Sequence, residues 1–75
     1  MKAYVLINVR AGNARDVVRK LRQIQGVKSA DPCWGRPDVF ALVEAANDKA
    51  LAGSVLDNVQ KIDGVESTDT HIVIE

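Results

Sequence analysis

The sequence predicts an α+β sandwich in which one antiparallel sheet, in spatial order 4-1-3-2, carries two helices on one face. Three observations predict it. The segment Leu21-Arg22-Gln23-Ile24-Gln25-Gly26-Val27 returns as Val59-Gln60-Lys61-Ile62-Asp63-Gly64-Val65, so the 75-residue chain is two similar units. Each unit ends a helix in glycine and then starts a strand, and neither can bury its apolar face alone. Two segments, one around Val5 and one around Ala41, are apolar at consecutive positions, which marks interior strands. A third segment contains Pro32, which has no N–H to donate and is tolerated mainly at a sheet edge.

The first strand is predicted over Ala3 to Val9, with Tyr4, Val5, Leu6, Ile7 and Val9 placing apolar side chains on both faces. It is expected to be central and covered twice. Asn13 is positioned to cap the first helix, and Asp16 complements the helix N-terminus. That helix is expected to run to about Gln25 with Val17, Val18, Leu21 and Ile24 inward, and Gly26 supplies a left-handed C-terminal residue. The second strand runs from about Val27 to Trp34 and lies at an edge. The turn Gly35-Arg36-Pro37-Asp38 leads into the third strand, Val39 to Ala45, which is interior. Asn47 or Asp48 opens the second helix, whose stripe is Leu51, Val55, Val59 and Ile62, flanked by Ala52 and Leu56. Gly53 in that helix marks a candidate close contact. The last strand spans about Glu66 to Ile74. Right-handed crossovers with two interior strands turn this β-α-β-β-α-β order into a ferredoxin-like sandwich.

Ten basic and ten acidic residues cancel, so the chain lacks the overall positive charge that neutralises phosphates, and direct nucleic-acid binding is not expected. Arg15, Arg19, Lys20 and Arg22 fall on the water-facing side of the first helix and read as a solvated face. The single cysteine, Cys33, excludes an internal disulfide and fits a reducing compartment. There is no Cys/His cluster at metal-ligand spacing, no leader ahead of the first strand and no apolar run of the ~20 residues that span a bilayer. These features point to a cytoplasmic, soluble single domain over residues 1–75, without cofactor or metal. A domain of this size buries only ~60% of its unfolded surface. Apolar side chains on the sheet face away from the helices predict that two subunits pack sheet against sheet.

Function has to come from residues at sites, since this fold hosts many activities. Cys-x-x-Cys, aromatic RNA-stacking strands and Gly-rich phosphate loops are all missing. What the chain does carry is Ile-x-Gly-Val at Ile24 and Ile62, a Gly35-x-x-Asp38 turn before an apolar strand, and Val65-x-x-Thr68-x-Thr70-x-Ile72-Val73-Ile74 at the end. In that order and spacing it resembles, over almost its whole length, the effector-binding domain of the leucine-responsive/AsnC (Lrp/AsnC) family of regulators, the regulation-of-amino-acid-metabolism (RAM) domain. Family regulators carry a helix-turn-helix domain ahead of this module, and here Met1 stands directly before the first strand. A stand-alone effector-binding module is the expectation.

The resemblance implies homodimers formed by facing sheets, assembly to tetramers or octamers, and a small amino-acid-like ligand between dimers. It places that ligand near Trp34, Gly35, Pro37 and Asp38 and the strand bearing Thr68 and Thr70. Chemically, Asp38 offers a carboxylate to an α-ammonium, turn N–H groups suit an α-carboxylate, and the two threonine hydroxyls share one strand face. The chain departs from the family at Pro37, where Tyr is usual, which removes an aromatic wall and a hydroxyl. Trp34, where a small hydroxylated residue is more common, either replaces the wall, fills the pocket, or anchors a contact between subunits.

Each of these residues also has a plain structural reading. Pro37-Asp38 is a common turn pair, Thr68 and Thr70 suit any strand, and Arg36, which could meet a ligand carboxylate, equally suits a surface turn. His71 lies on the strand face opposite the threonines, without a catalytic partner at suggestive spacing. Cys33 reads as a small hydrophobe. Three functions therefore compete. They are a small-molecule sensor without DNA contact, a structural partner that co-assembles with full-length regulators, and a small ferredoxin-like enzyme using His71 as base. The last lacks a partner acid and is the weakest, so a non-enzyme is expected.

Overall fold

The computed structural model describes residues 1–74. Its sheet consists of β1 (Lys2–Val9), β2 (Val27–Pro32), β3 (Val39–Glu44) and β4 (Val65–Ile72). They lie in the order β2-β3-β1-β4 with antiparallel neighbours, which is the predicted 4-1-3-2 read from the other edge. Two helices cover one face: α1 (Ala14–Leu21) and α2, residues 48–60. The core between the layers is purely aliphatic. Val5 and Ile7 of β1, Val39 and Val43 of β3, Val17 and Leu21 of α1, and Leu51 and Val59 of α2 are all essentially inaccessible to water, and no polar or charged residue is buried among the described residues. Hydrophobic burial therefore supplies the interior that holds the layers together.

The repeated glycines explain how the two units lock. Gly26 and Gly64 adopt φ of 100° and 101°, a left-handed conformation that follows a helix and that L side chains rarely adopt. A Cβ on Gly26 would lie 2.7 Å from Val55 Cγ2 on α2, and a Cβ on Gly64 would lie 3.2 Å from Val17 Cγ2 on α1. Each helix thus ends in a glycine that seats against the other helix. Their carbonyls are used reciprocally too: Glu44 N–H donates to Gly26 O and Arg10 N–H to Gly64 O, both at 2.7 Å.

Several local expectations are corrected. α1 ends at Leu21 rather than Gln25, because the chain tightens into i→i+3 bonds, with Gln23 N–H donating to Lys20 O at 3.1 Å and Ile24 N–H to Leu21 O at 3.0 Å. β2 stops at Pro32, two residues before Trp34, where the missing N–H ends the ladder. Asn13 makes no side-chain cap, since Arg10 Nε donates to its Oδ1 at 3.2 Å. Of the two candidates for opening the second helix, Asn47 is the cap, its Oδ1 accepting from Ala50 N–H at 2.9 Å. Residues Leu51–Leu56 of that helix are π-helical, with Asp57 N–H donating to Ala52 O. Gly53 lies within this stretch and would have no atom within 4 Å of a Cβ, so the close contact is made by Gly26 instead. Strand β1 is central, but within one chain only one of its faces is covered.

Candidate functional site

β3 begins only at Val39, so the N–H of Val9 at the end of β1 has no strand partner on that side. Asp38 supplies one. Its Oδ2 accepts from Val9 N–H at 2.9 Å and from Arg36 Nη1 at 3.0 Å, and its side chain is only 15% exposed. The backbone of Asp38 is fixed as well, its N–H donating to Ile7 O at 3.0 Å and its carbonyl accepting from Cys33 N–H at 2.6 Å. Gly35 makes the turn possible with φ of 101°, and the Arg36–Pro37 peptide is cis.

Arg36 extends this arrangement across the end of the sheet. Its Nη1 also donates to Val9 O at 3.0 Å, and its Nη2 reaches Glu66 Oε1 on β4 at 3.2 Å. Glu66 is available because β1 and β4 slip register here: Asn8 pairs with Ser67 and Val9 with Val65, which leaves Glu66 as the extra residue of a bulge. A bulge re-aims the side chain it carries. Glu66 is therefore the site residue that the sequence reading overlooked, and Arg36, weighed there against a plain turn role, is the one that the structure ties into the Asp38 arrangement. Glu66 becomes meaningful only once the register of two strands remote in sequence is known.

The six predicted residues fall into two groups. Trp34, Gly35, Pro37 and Asp38 form one loop at the end of β1 and β3. Thr68 and Thr70 stand on the edge strand β4, opposite Ile7 and Val5, on the helix-facing side and partly buried. Gln60 Nε2 of α2 donates to Thr68 Oγ1 at 3.5 Å. Strand β1 separates the two groups, and the Arg36–Glu66 contact is the polar link across it. Of the six residues, Trp34 lines a surface groove together with Gly12, Ala14, Arg15, Pro32 and Cys33. Among the described residues, no group of three or more His, Cys, Asp or Glu side chains is placed to hold a metal ion, and no helix is long and apolar enough to cross a membrane.

The face of the sheet away from the helices is open. Tyr4 pairs with Leu42 and Leu6 with Phe40 on this face, because residues that alternate with the buried Val5 and Ile7 point the other way. Tyr4 and Phe40 are 53% and 43% exposed. The patch is bordered by His71, opposite Tyr4, whose Nε2 lies 3.1 Å from Asp69 Oδ2 at the exposed surface, which corrects the expectation that this histidine has no acid partner. Asn8 also stands on this face; its Nδ2 donates to Ser67 Oγ at 3.0 Å, while its Oδ1 is buried without a partner.

The fold is a two-layer α+β sandwich whose sheet leaves one apolar face open. Residues 2–75 match the family model described as the Lrp/AsnC ligand binding domain, and the chain belongs to that family. It is 32% identical over 75 residues to the HTH-type transcriptional regulator FL11 of Pyrococcus abyssi, covering 100% of this chain and 49% of that protein. The chain thus spans about half the length of the curated relatives it matches. Among solved structures it superposes on FFRP-DM1 with a TM-score of 0.90 at 30% identity, covering 97% of each chain. A transcriptional regulator from Neisseria meningitidis, solved as a complex with L-Met, shares the fold with a TM-score of 0.83 at 22% identity, over 99% of this chain and 49% of that one.

Proposed function

We propose that this domain binds a free amino acid at a junction between copies of itself, and that the copies pair through the open sheet face. The observation that carries the reading is the division of the predicted site: one chain presents the Asp38 loop and the Thr68/Thr70 strand as two separate half-sites, so a pocket using both requires a second subunit. Membership of a ligand-binding family supports it, and so does the L-Met complex of a protein with the same fold. Asp38 retains a role, because both of its bonds go to Oδ2, and Oδ1 is left for an ammonium group. Arg36, whose guanidinium ends beside that carboxylate, is the cation nearest to hand for an α-carboxylate. The reading involves no catalysis.

A second reading is favoured by one observation. The largely buried carboxylate of Asp38 already accepts from Val9 and Arg36, and Pro37 offers no hydroxyl, so the loop has its polar contacts without a ligand. On this reading the domain is a structural subunit that joins full-length regulators of its family through the same sheet face.

Sedimentation velocity with and without the twenty amino acids separates the two. A change in assembly caused by one amino acid, lost in Thr68→Val, supports the sensor. An oligomer indifferent to all twenty that is nevertheless retained by a full-length regulator of its family moves the structural reading to first place.

A further inference from the structure

The most exposed large apolar side chain in the molecule takes no part in the sheet face. Trp34 is 104% exposed at the tip of the β2–β3 loop, whereas the other aromatic residues on the surface are about half covered. Beside it lies a groove of about 470 Å³ lined by Gly12, Ala14, Arg15, Pro32, Cys33 and Trp34 itself. Its walls are the β1–α1 turn, the start of α1 and the end of β2. Pro32 pairs with the core residue Val39 and so points to the helix side of the sheet. Packing sheet against sheet therefore leaves this groove uncovered.

A protruding indole and an apolar groove side by side on one surface are self-complementary. A two-fold axis between two copies would put each Trp34 into the groove of the other, the isologous arrangement of symmetric oligomers. Charge agrees with that occupant. Arg15 at the rim makes no ion pair among the described residues, while the neighbouring Arg19 and Arg22 pair with Asp16 and Asp31. An unpaired guanidinium beside a groove suits the negative face of an incoming aromatic ring. We infer that Trp34 is an exchange anchor: it inserts into the Gly12–Arg15 groove of a second copy of this chain, under Arg15.

Area decides what this contact joins. An indole buries roughly 150–250 Å², whereas a stable interface covers about 800 Å² on each partner. The Trp34 contact is thus a junction between units already paired through the sheet face, and in this respect it rests on the pairing proposed above. Trp34 then serves assembly and is not the wall of an amino-acid pocket.

The chain contains one tryptophan and one cysteine, at neighbouring positions, so emission and thiol cross-linking both report on this loop alone. Trp34 emission should shift to the blue and resist acrylamide quenching as concentration rises through the range in which assemblies larger than a dimer form. A short bismaleimide should then join Cys33 to Cys33 of the partner subunit. Arg15→Glu should return the emission to that of an indole in water, abolish most of the cross-link and leave a dimer. Emission typical of free indole in an assembly larger than a dimer overturns the inference, as does Arg15→Glu with emission and cross-link unchanged. Phe40→Lys tests the sheet pairing separately. If that pairing is wrong, Phe40→Lys keeps the wild-type size while the Trp34 shift persists; if only the Trp34 junction is wrong, Phe40→Lys yields monomers and Trp34 is exposed throughout.

Discussion

Asp38 Oδ2 accepts the N–H of Val9 at 2.9 Å and so completes β1 at the point where β3 has not yet begun. The bond joins a turn to a strand 29 residues away in sequence, and the same oxygen holds Arg36 in place. Removing it leaves a sheltered backbone donor unsatisfied. Asp38→Ala is expected to cost about 1–3 kcal/mol, the range for orphaning such a donor. Asp38→Asn, which keeps an acceptor oxygen, is expected to cost less. Urea denaturation of the two variants beside wild type measures both, and equal losses would remove the Val9 bond as the cause.

Gly26 and Gly53 should respond to an added Cβ in opposite ways. Gly26→Ala must adopt a positive φ, place its methyl 2.7 Å from Val55 Cγ2 and meet Glu44 O at 2.9 Å. Backbone strain of about 1–2 kcal/mol adds to that clash. Gly53→Ala meets nothing within 4 Å in a helical segment, and is expected to stabilise by up to about 1 kcal/mol. Thermal unfolding of the two variants should move the midpoint in opposite directions. The double variant Gly26→Ala with Val55→Ala tests the clash with Val55 directly, because the strain and the Glu44 contact persist in it.

Asn47 and Asn13 stand at corresponding helix starts but do different work. Asn47 Oδ1 caps α2 through Ala50 N–H, so Asn47→Ala is expected to cost about 1 kcal/mol. Asn13 makes no cap, and its bond to Arg10 lies at the surface, so Asn13→Ala should cost less than half of that. Measuring both by chemical denaturation gives the comparison.

Stability and assembly should separate at Phe40. The side chain is already 43% exposed in one chain, so Phe40→Lys is expected to change monomer stability by under about 1 kcal/mol. If the sheet face joins subunits, the buried lysine should break the pair. Sedimentation of a folded Phe40→Lys protein at the wild-type size would count against the face.

Much of the fold was legible because it is written in local chemistry. Consecutive apolar residues marked β1 and β3 as interior, Pro32 marked β2 as an edge, and the repeated Ile-x-Gly-Val marked the passage from each helix to its strand, though not the last helical residue of α1. The alternation that puts Thr68 and Thr70 on one face of β4 and His71 on the other follows from strand geometry alone. What was not legible depends on register between distant segments. The Glu66 bulge, its contact with Arg36 and the capture of Asn13 by Arg10 all need strands already paired. The π-helical stretch of α2 also escaped, since its apolar stripe at Leu51, Val55 and Val59 is the one an ordinary helix would present. Within the candidate site, the sequence placed Gly35 to Asp38 in one turn, but the engagement of Asp38 with Val9 was not legible.

The reciprocal seating of Gly26 on Val55 and Gly64 on Val17 has a consequence for synthesis. A ribosome delivers β1, α1, β2 and β3 before the residue against which the first helix ends. Until Val55 emerges, Gly26 has Glu44 of β3 but not its seat on the second helix, and the aliphatic underside of α1 has only part of its cover. The first unit cannot settle on its own while the chain is growing, and a nascent chain halted after β3 would hold an unfinished, adhesive surface. The fold closes only when the second helix, Gly64 and β4 have all been added, and a chain that stops after β3 is expected to be degraded and not to act as a smaller version of this domain.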